Sequence, residues 1–264
     1  MTEPTIFCAV PVVGRELETR VTLLSLAQNN MIADIHVQVF LGSRKTHPGV
    51  PVDYVRGLLS EARIPHWGIE EIPQEGWDSA LRHAFRAFLG RAESWLWWLE
   101  NDNLVNPNCV EDMLEHERAA ALLRCVGLIS PQRLRGSTYR NEDVGGQYPF
   151  LFRRRVQATT LFIRRELAQL IADVGWLDGI PRMEGLIVLG LLDFGCSHVV
   201  ARRSTVQHIG LGGLTTRTHK RWAKGGNGGC GFVPDPAIAG LAQEIYQQRG
   251  LGPGLEDDVL NQST

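Results

Sequence analysis

The sequence predicts an α/β fold, a mostly parallel sheet with helices on its faces, and three observations carry that expectation. Short β-rich apolar runs alternate with amphipathic helical stretches through the first hundred residues. One run, Trp95-Leu96-Trp97-Trp98-Leu99, is apolar throughout, as a strand covered on both faces must be. It stops abruptly at Glu100-Asn101-Asp102-Asn103, and Asn106-Pro107-Asn108 cannot continue it.

The elements follow in order. Ile6 to Val13 reads as a first strand ending near Pro11 and Gly14, and Arg15 to Asn30 as a helix closed by Asn29-Asn30. Ile35 to Leu41 is a second strand stopped by Gly42-Ser43, Val52 to Ala62 a helix, and Trp67 to Ile72 a short third strand. Trp77 to Leu89 carries Ala80, Leu81, Ala84, Phe85 and Phe88 on one stripe, a helix with one buried face that leads into the Trp strand. Beyond it, Val110 to Leu123 reads as a helix, Cys125 to Ile129 as a strand, and the polar stretch Leu134 to Gly146 as a surface loop. Val156 to Ile163 is a strand, Arg165 to Val174 and Met183 to Phe194 are helices, and His198 to Ala201 and Thr205 to Ile209 are extended. After Gly210 the composition turns basic and glycine-rich, Asp235 to Arg249 reads as a closing helix, and the last dozen residues as a frayed end.

A chain of 264 residues with 44% hydrophobic and 21% charged residues can bury a large core. No internal repeat or clean linker divides it, so one domain with two functional halves is expected: residues 1–235, of which about 1–105 and 106–235 form the halves, then a C-terminal helix and tail over 236–264. A formal charge of −2 gives no general attraction to nucleic acid or anionic membrane, so such contacts require a local patch. Five scattered cysteines without a Cys-x-x-Cys pair argue against a disulfide framework and a zinc site, and suit a reducing cytosol. The acidic N-terminus lacks a basic region before its short apolar stretch, so neither a signal peptide nor an anchor is expected, and a soluble cytoplasmic protein is.

A buried strand that ends in Glu100 and Asp102 delivers two carboxylates to the carboxyl edge of the sheet, where open α/β sheets bind ligands. Hard oxygen ligands there suit Mg²⁺ or Mn²⁺ holding a phosphate.

Four segments together resemble the inverting, nucleotide-sugar-dependent glycosyltransferases of the GT-A fold. They are Val10-Pro11-Val12 with the following helix, Trp77-Asp78-Ser79-Ala80-Leu81-Arg82, Glu100-Asn101-Asp102, and Trp176 through Gly210. Their order and spacing carry the likeness. It implies a GT-A type, Rossmann-like mixed central sheet flanked by helices. The family's Asp-x-Asp is here Glu-Asn-Asp: Asp102 matches the metal-holding acid, while Glu100 reaches one methylene further, toward metal, bridging water or ribose. The Gln207-His208-Ile209-Gly210 string resembles one in some N-acetylglucosaminyltransferases, which implies His208 as third metal ligand.

The likeness also implies a general base, Glu184, at the start of a helix that is apolar almost all round, with Asp178 and Asp193 as fallbacks. Pro11, Val12 and Arg15 lead toward the base pocket, Glu18 toward a ribose, and Asp78 and Arg82 toward base or diphosphate. Lys220, within the basic stretch Thr218 to Gly225, is placed on a lid over the diphosphate, or its neighbour Trp222 stacks on a base of an anionic acceptor. Arg153-Arg154-Arg155 adds a second basic spot.

The function expected is metal-dependent transfer of a sugar, from a UDP-sugar in the first instance, to an acceptor hydroxyl with inversion. The acceptor remains open: a polysaccharide, lipid-linked glycan or protein hydroxyl, as the likeness implies by default, or a hydroxymethylated base in DNA that the two basic spots would suit. A nucleotidyltransferase shares the sheet, but Val10 to Glu16 offers only Gly14 and Arg15 where that class has a glycine-rich basic loop. A non-catalytic sugar- or nucleic-acid-binding module would not need Glu100, Asp102, Glu184 and His208 to converge. Gly226 to Gly231 matches a dinucleotide fingerprint only formally, since no strand precedes it and no helix follows.

Overall fold

The computed structural model describes residues 5–42, 49–72, 77–132, 141–142, 147–154, 156, 159–178, 183–209 and 235–248. Strand β1 (Ile6–Val12), helix α1 (Glu16–Ala27), β2 (Ile35–Leu41), α2 (Val52–Glu61), β3 (Trp67–Glu71), α3 (Trp77–Leu89) and β4 (Trp95–Leu99) alternate as the sequence predicts. The chain continues through β5 (Asn103–Val105), α4 (Cys109–Ala121), β6 (Val126–Ser130), β7 (Asn141–Glu142), β8 (Phe150–Arg153), β9 (Thr160–Arg164) and α5 (Arg165–Asp173). Helix α6 (Met183–Asp193), β10 (Ser197–Ala201), β11 (Val206–His208) and α7 (Pro236–Gln248) complete it.

Nine strands form one mixed sheet in the order β3-β2-β1-β4-β9-β6-β10-β8-β7, and β5 pairs with β11 in a separate two-stranded ribbon. β1 runs parallel to both β2 and β4, and β2 parallel to β3, because a helix crosses over between each pair. Among the described residues no helix separates β6 from β8, so the chain re-enters the sheet from the edge it left. β9 therefore lies antiparallel between β4 and β6, and β8 antiparallel to β10. Together these pairings give the mixed sheet flanked by helices.

Side-chain alternation along β4 sorts the core into two layers. Trp97 and Leu99 face α2 and α4, with Val55, Leu59, Val110 and Met113. Leu96 and Trp98 face α3, α5 and α6, with Phe85, Phe88, Ile171 and Ile187. Trp97 stacks on Phe162 of β9 at 4.8 Å between ring centres, and its indole N–H donates to Thr160 Oγ1 at 3.0 Å, so the buried polar atom is satisfied. A third cluster joins Val21 of α1, Leu104 of β5 and Ile209 to Ile238, Ala242 and Ile245 of α7. That cluster covers the ribbon.

Several expectations change. The strand expected from Val156 begins at Thr160, and Val156 is buried outside it. β5 and β8 were not foreseen: three residues are too few to show a period, and Phe150 to Arg153 are buried on every side chain, which hides alternation. Arg153 is buried within β8 rather than part of a basic surface spot; Arg154 is exposed, and residue 155 lies outside the described residues. Within the expected surface loop Leu134 to Gly146, Asn141 and Glu142 pair with Arg153 and Phe152 as a short edge strand, and the rest lies outside the described residues. The glycine-rich stretch from 210 to 234 and the tail from 249 lie outside them as well. Among the described residues no helix is long and apolar enough to cross a membrane.

Candidate functional site

β4 ends at Leu99, and the following residues carry the site. Glu100 N–H donates to Thr159 O at 2.9 Å, extending the β4–β9 pairing by one residue before the chain turns. Asn101 turns inward: its side-chain amide donates to Thr19 Oγ1 at 2.8 Å and to Gly14 O at 3.3 Å. It therefore pins the turn to the β1–α1 connection, where Gly14 and Arg15 both have left-handed φ, 64° and 60°.

Helix α1 is a scaffold for this turn. Its face toward β5 carries buried Thr19, Thr22 and Ser25 at three-residue spacing. Asn103 N–H donates to Thr22 Oγ1 at 3.0 Å, and Val105 N–H donates to Ser25 Oγ at 3.1 Å. Among the described residues β5 has a strand partner on one edge only, and on the other these hydroxyls accept its backbone N–H groups. In the sequence these hydroxyls only interrupt the apolar stripe of α1; the signal they carry is polar residues of one kind recurring on one helix face.

On its other edge β5 pairs antiparallel with β11, in a register that sets His208 opposite Asn103. Ile209 N–H donates to Asp102 O at 2.8 Å, and Asn106 N–H to Thr205 O at 2.8 Å, closing the ribbon at both ends. A residue more than a hundred positions away thereby meets the end of β4.

Glu100, Asp102 and His208 each present a ligand atom within 4.8 Å of the others. Asp102 and His208 are buried, and Glu100 is half-buried. Asp102 Oδ2 faces the Arg15 guanidinium in an ion pair and lies 3.1 Å from His208 Nε2. Asp102 Oδ1 is buried without a hydrogen-bond partner among the described residues. An orphaned carboxylate oxygen is costly in a protein interior, and a cation in this cluster removes that cost. Burial lowers the His208 pKa to about 4; Arg15 pushes the same way and Glu100 opposes it. The imidazole is therefore neutral at pH 7, the form that ligates metals. Two carboxylates and a neutral imidazole fit Mn²⁺ or Mg²⁺.

Other expected residues are placed as follows. Pro11 is half-buried at the end of β1, but the Val12 side chain lies wholly in the core, so packing fixes it and only its backbone is left for a ligand. Glu18 is buried in the first turn of α1, and Asp78 and Arg82 lie one turn apart and half-buried on α3. Glu184 is the second residue of α6. α6 leads into β10, which runs parallel beside β6, and the Val188 carbonyl of α6 accepts from His198 Nε2 of β10 at 2.7 Å.

The fallback bases are elsewhere. Asp178 is exposed beside the last turn of α3, its carboxylate 3.5 Å from Arg86, and Asp193 is the exposed last residue of α6, at the end of that helix opposite Glu184. Neither joins the carboxylate cluster. Lys220 lies outside the described residues.

No family model and no curated protein matches this sequence. Solved structures do match its fold. The crystal structure of S. aureus TarS 1-349 superposes with a TM-score of 0.50 at 11% identity, over 76% of this chain and 59% of that one. The same fragment in complex with UDP-GlcNAc gives 0.50 at 11% identity, over 93% and 72%. The mannosyltransferase PcManGT from Pyrobaculum calidifontis, in complex with GDP-Man and Mn²⁺, gives 0.53 at 10% identity, over 98% and 69%. The chain thus spans 59% of the length of the first TarS structure. It shares the fold of these solved structures.

Proposed function

We propose that this protein is a metal-dependent glycosyltransferase that moves a sugar from a nucleotide-sugar donor to an acceptor hydroxyl with inversion. The observation that carries the reading is the three-residue ligand cluster with its orphaned Asp102 oxygen at the carboxyl edge of the sheet. The neighbouring folds supply the class of donor, since one binds UDP-GlcNAc and another GDP-Man with Mn²⁺.

Asp102, His208 and Glu100 would hold a divalent cation, which, when bound, offsets the charge that gathers on a departing nucleoside diphosphate. The residues of the chain do the rest. Pro11, the Val12 backbone, Arg15, Glu18, Asp78 and Arg82 line the nucleotide half over residues 1–105. Residues 106–235 form the acceptor half, and Lys220 neutralises diphosphate from the basic segment. Glu184 takes the proton from the acceptor hydroxyl as its oxygen bonds to the anomeric carbon, on the face opposite the bond that breaks to the diphosphate. The position of Glu184 on the first turn of α6 supports this role. Stereochemistry inverts because attack and departure take place on opposite faces.

The test has two stages. Mn²⁺ with UDP or GDP should raise the melting temperature of the wild-type protein, and Asp102→Ala should abolish that shift. Slow hydrolysis of UDP- or GDP-sugars without acceptor should then identify the donor, and product masses on glycan and on hydroxymethyl-DNA the acceptor. Glu184→Ala should keep the Mn²⁺-dependent shift and lose transfer; full transfer by this variant eliminates the base assignment. Stabilisation by glycan or DNA alone, with no response to Mn²⁺ and nucleotide, would instead mark a binding module.

A further inference from the structure

Outside the cluster at the strand ends, the structure brings together two cysteines that the sequence keeps far apart. Cys125 immediately precedes β6 and Cys196 immediately precedes β10, and these strands are parallel neighbours in the sheet. Ser197 N–H donates to Cys125 O at 2.8 Å, so the backbones are already in ladder contact at this point. Neighbouring strands lie about 5 Å apart, within the Cα separation that a disulfide spans. The two Sγ atoms are 3.1 Å apart. Cys125 is exposed and Cys196 buried.

We propose that Cys125 and Cys196 are a thiol-pair modification site that low-molecular-weight disulfides such as oxidised glutathione convert to an intramolecular disulfide. The step balances as two thiol–disulfide exchanges. The exposed Cys125 thiolate attacks one glutathione sulfur and expels a first glutathione. The Cys196 sulfur, having lost its proton to solvent, then attacks Cys125 Sγ and expels the second. The protein loses two electrons and two protons, which leave with two molecules of reduced glutathione.

The exposures assign the order of events. An external disulfide reaches Cys125 and not Cys196, and burial with the neighbouring thiol pushes the Cys196 pKa up to about 12, which suits a second attacker that acts only once Cys125 is modified. The ladder accommodates closure, because the β6–β10 register already shifts between Ser197 and Val199, where His198 Nδ1 accepts the Leu128 N–H at 3.1 Å. The closed loop would enclose β6 through β9, α5 and α6, and so tie the far end of the helix that carries Glu184 to the start of β6. The pair lies where β6 and β10 begin, at the sheet edge opposite the ligand cluster, so the inference stands apart from the proposed transferase activity.

The full-length reduced protein is treated with oxidised glutathione, then examined by thiol titration, intact mass and peptide mapping. Titratable thiols in denaturant should fall from five to three, the mass by 2 Da, and one cross-linked peptide pair should contain Cys125 and Cys196. The melting temperature should rise by roughly 5–15 °C and return with dithiothreitol. Cys196→Ala should stop at a glutathione adduct on Cys125, and Cys125→Ser, at an exposed position, should form neither adduct nor cross-link. The proposal is overturned if wild type accumulates the Cys125 adduct with Cys196 still free, if Cys125 does not react, or if the mapped cross-link joins any other pair.

Discussion

Replacing Thr22 by valine tests whether hydroxyls on α1 hold the metal-site turn. Thr22 is fully buried and its Oγ1 accepts the Asn103 N–H at 3.0 Å. Valine keeps the branched shape of threonine but has no acceptor. The N–H points away from β11, so no other strand stands ready to accept it. Leaving one buried donor unsatisfied costs about 1–3 kcal/mol. For a chain of this size that corresponds to a melting temperature lower by roughly 2–10 °C. Since Asn103 adjoins Asp102, the Mn²⁺-dependent stabilisation by a nucleoside diphosphate should shrink as well. Arg20→Ala is the control on the same helix: its surface ion pair with Glu61 should contribute less than about 1 kcal/mol. Thermal scans of both variants, with and without Mn²⁺ and nucleotide, read the outcome. A Thr22→Val protein that melts with wild type and responds fully to Mn²⁺ and nucleotide refutes the scaffold role of α1.

Three further outcomes follow from packing and titration. A Cβ at Gly190 would run into the Trp176 indole ring, so Gly190→Ala should destabilise by about 1–3 kcal/mol in urea unfolding. Gly57→Ala meets nothing within 4 Å inside α2 and should stabilise by about 0.5–1 kcal/mol, so equal effects at both sites would contradict the packing. Burial lowers the His116 pKa to about 4, below its unfolded value near 6.5. The folded state therefore disfavours the charged ring, and stability present above pH 6.5 is lost as pH falls toward 4. Between pH 7 and pH 5 this single group removes about 2 kcal/mol. His116→Gln should flatten the measured loss by that amount, and an unchanged pH dependence would reject the assignment.

Much of this fold is legible in the sequence. The parallel β1–β4 half was readable because helix and strand periods differ, and each element there is long enough to show its own. The turn after Leu99 was readable because Glu100, Asn101 and Asp102 cannot extend an apolar strand. The same local grammar failed at β5, β7 and β8, which are too short or too evenly buried to show a period. Arg153 misled because an arginine run suggests a surface, whereas pairing with both β7 and β10 puts this one inside the sheet.

What the sequence determined by itself was the set of chemically capable groups: two acids ending a buried strand, a late histidine, and an acid opening an apolar helix. Which of them meet was decided by pairing. The β5–β11 ribbon carries His208 to Asp102, Asn101 and Thr19 lock the turn to α1, and the connection from α5 to α6 leaves Asp178 on the surface beside Arg86 of α3. Likewise the sequence shows five scattered cysteines, and only the β6–β10 pairing sets two of them side by side. The reason is range: periodicity and turn chemistry act over a few residues, whereas strand register couples positions about a hundred apart, and no local pattern encodes the partner.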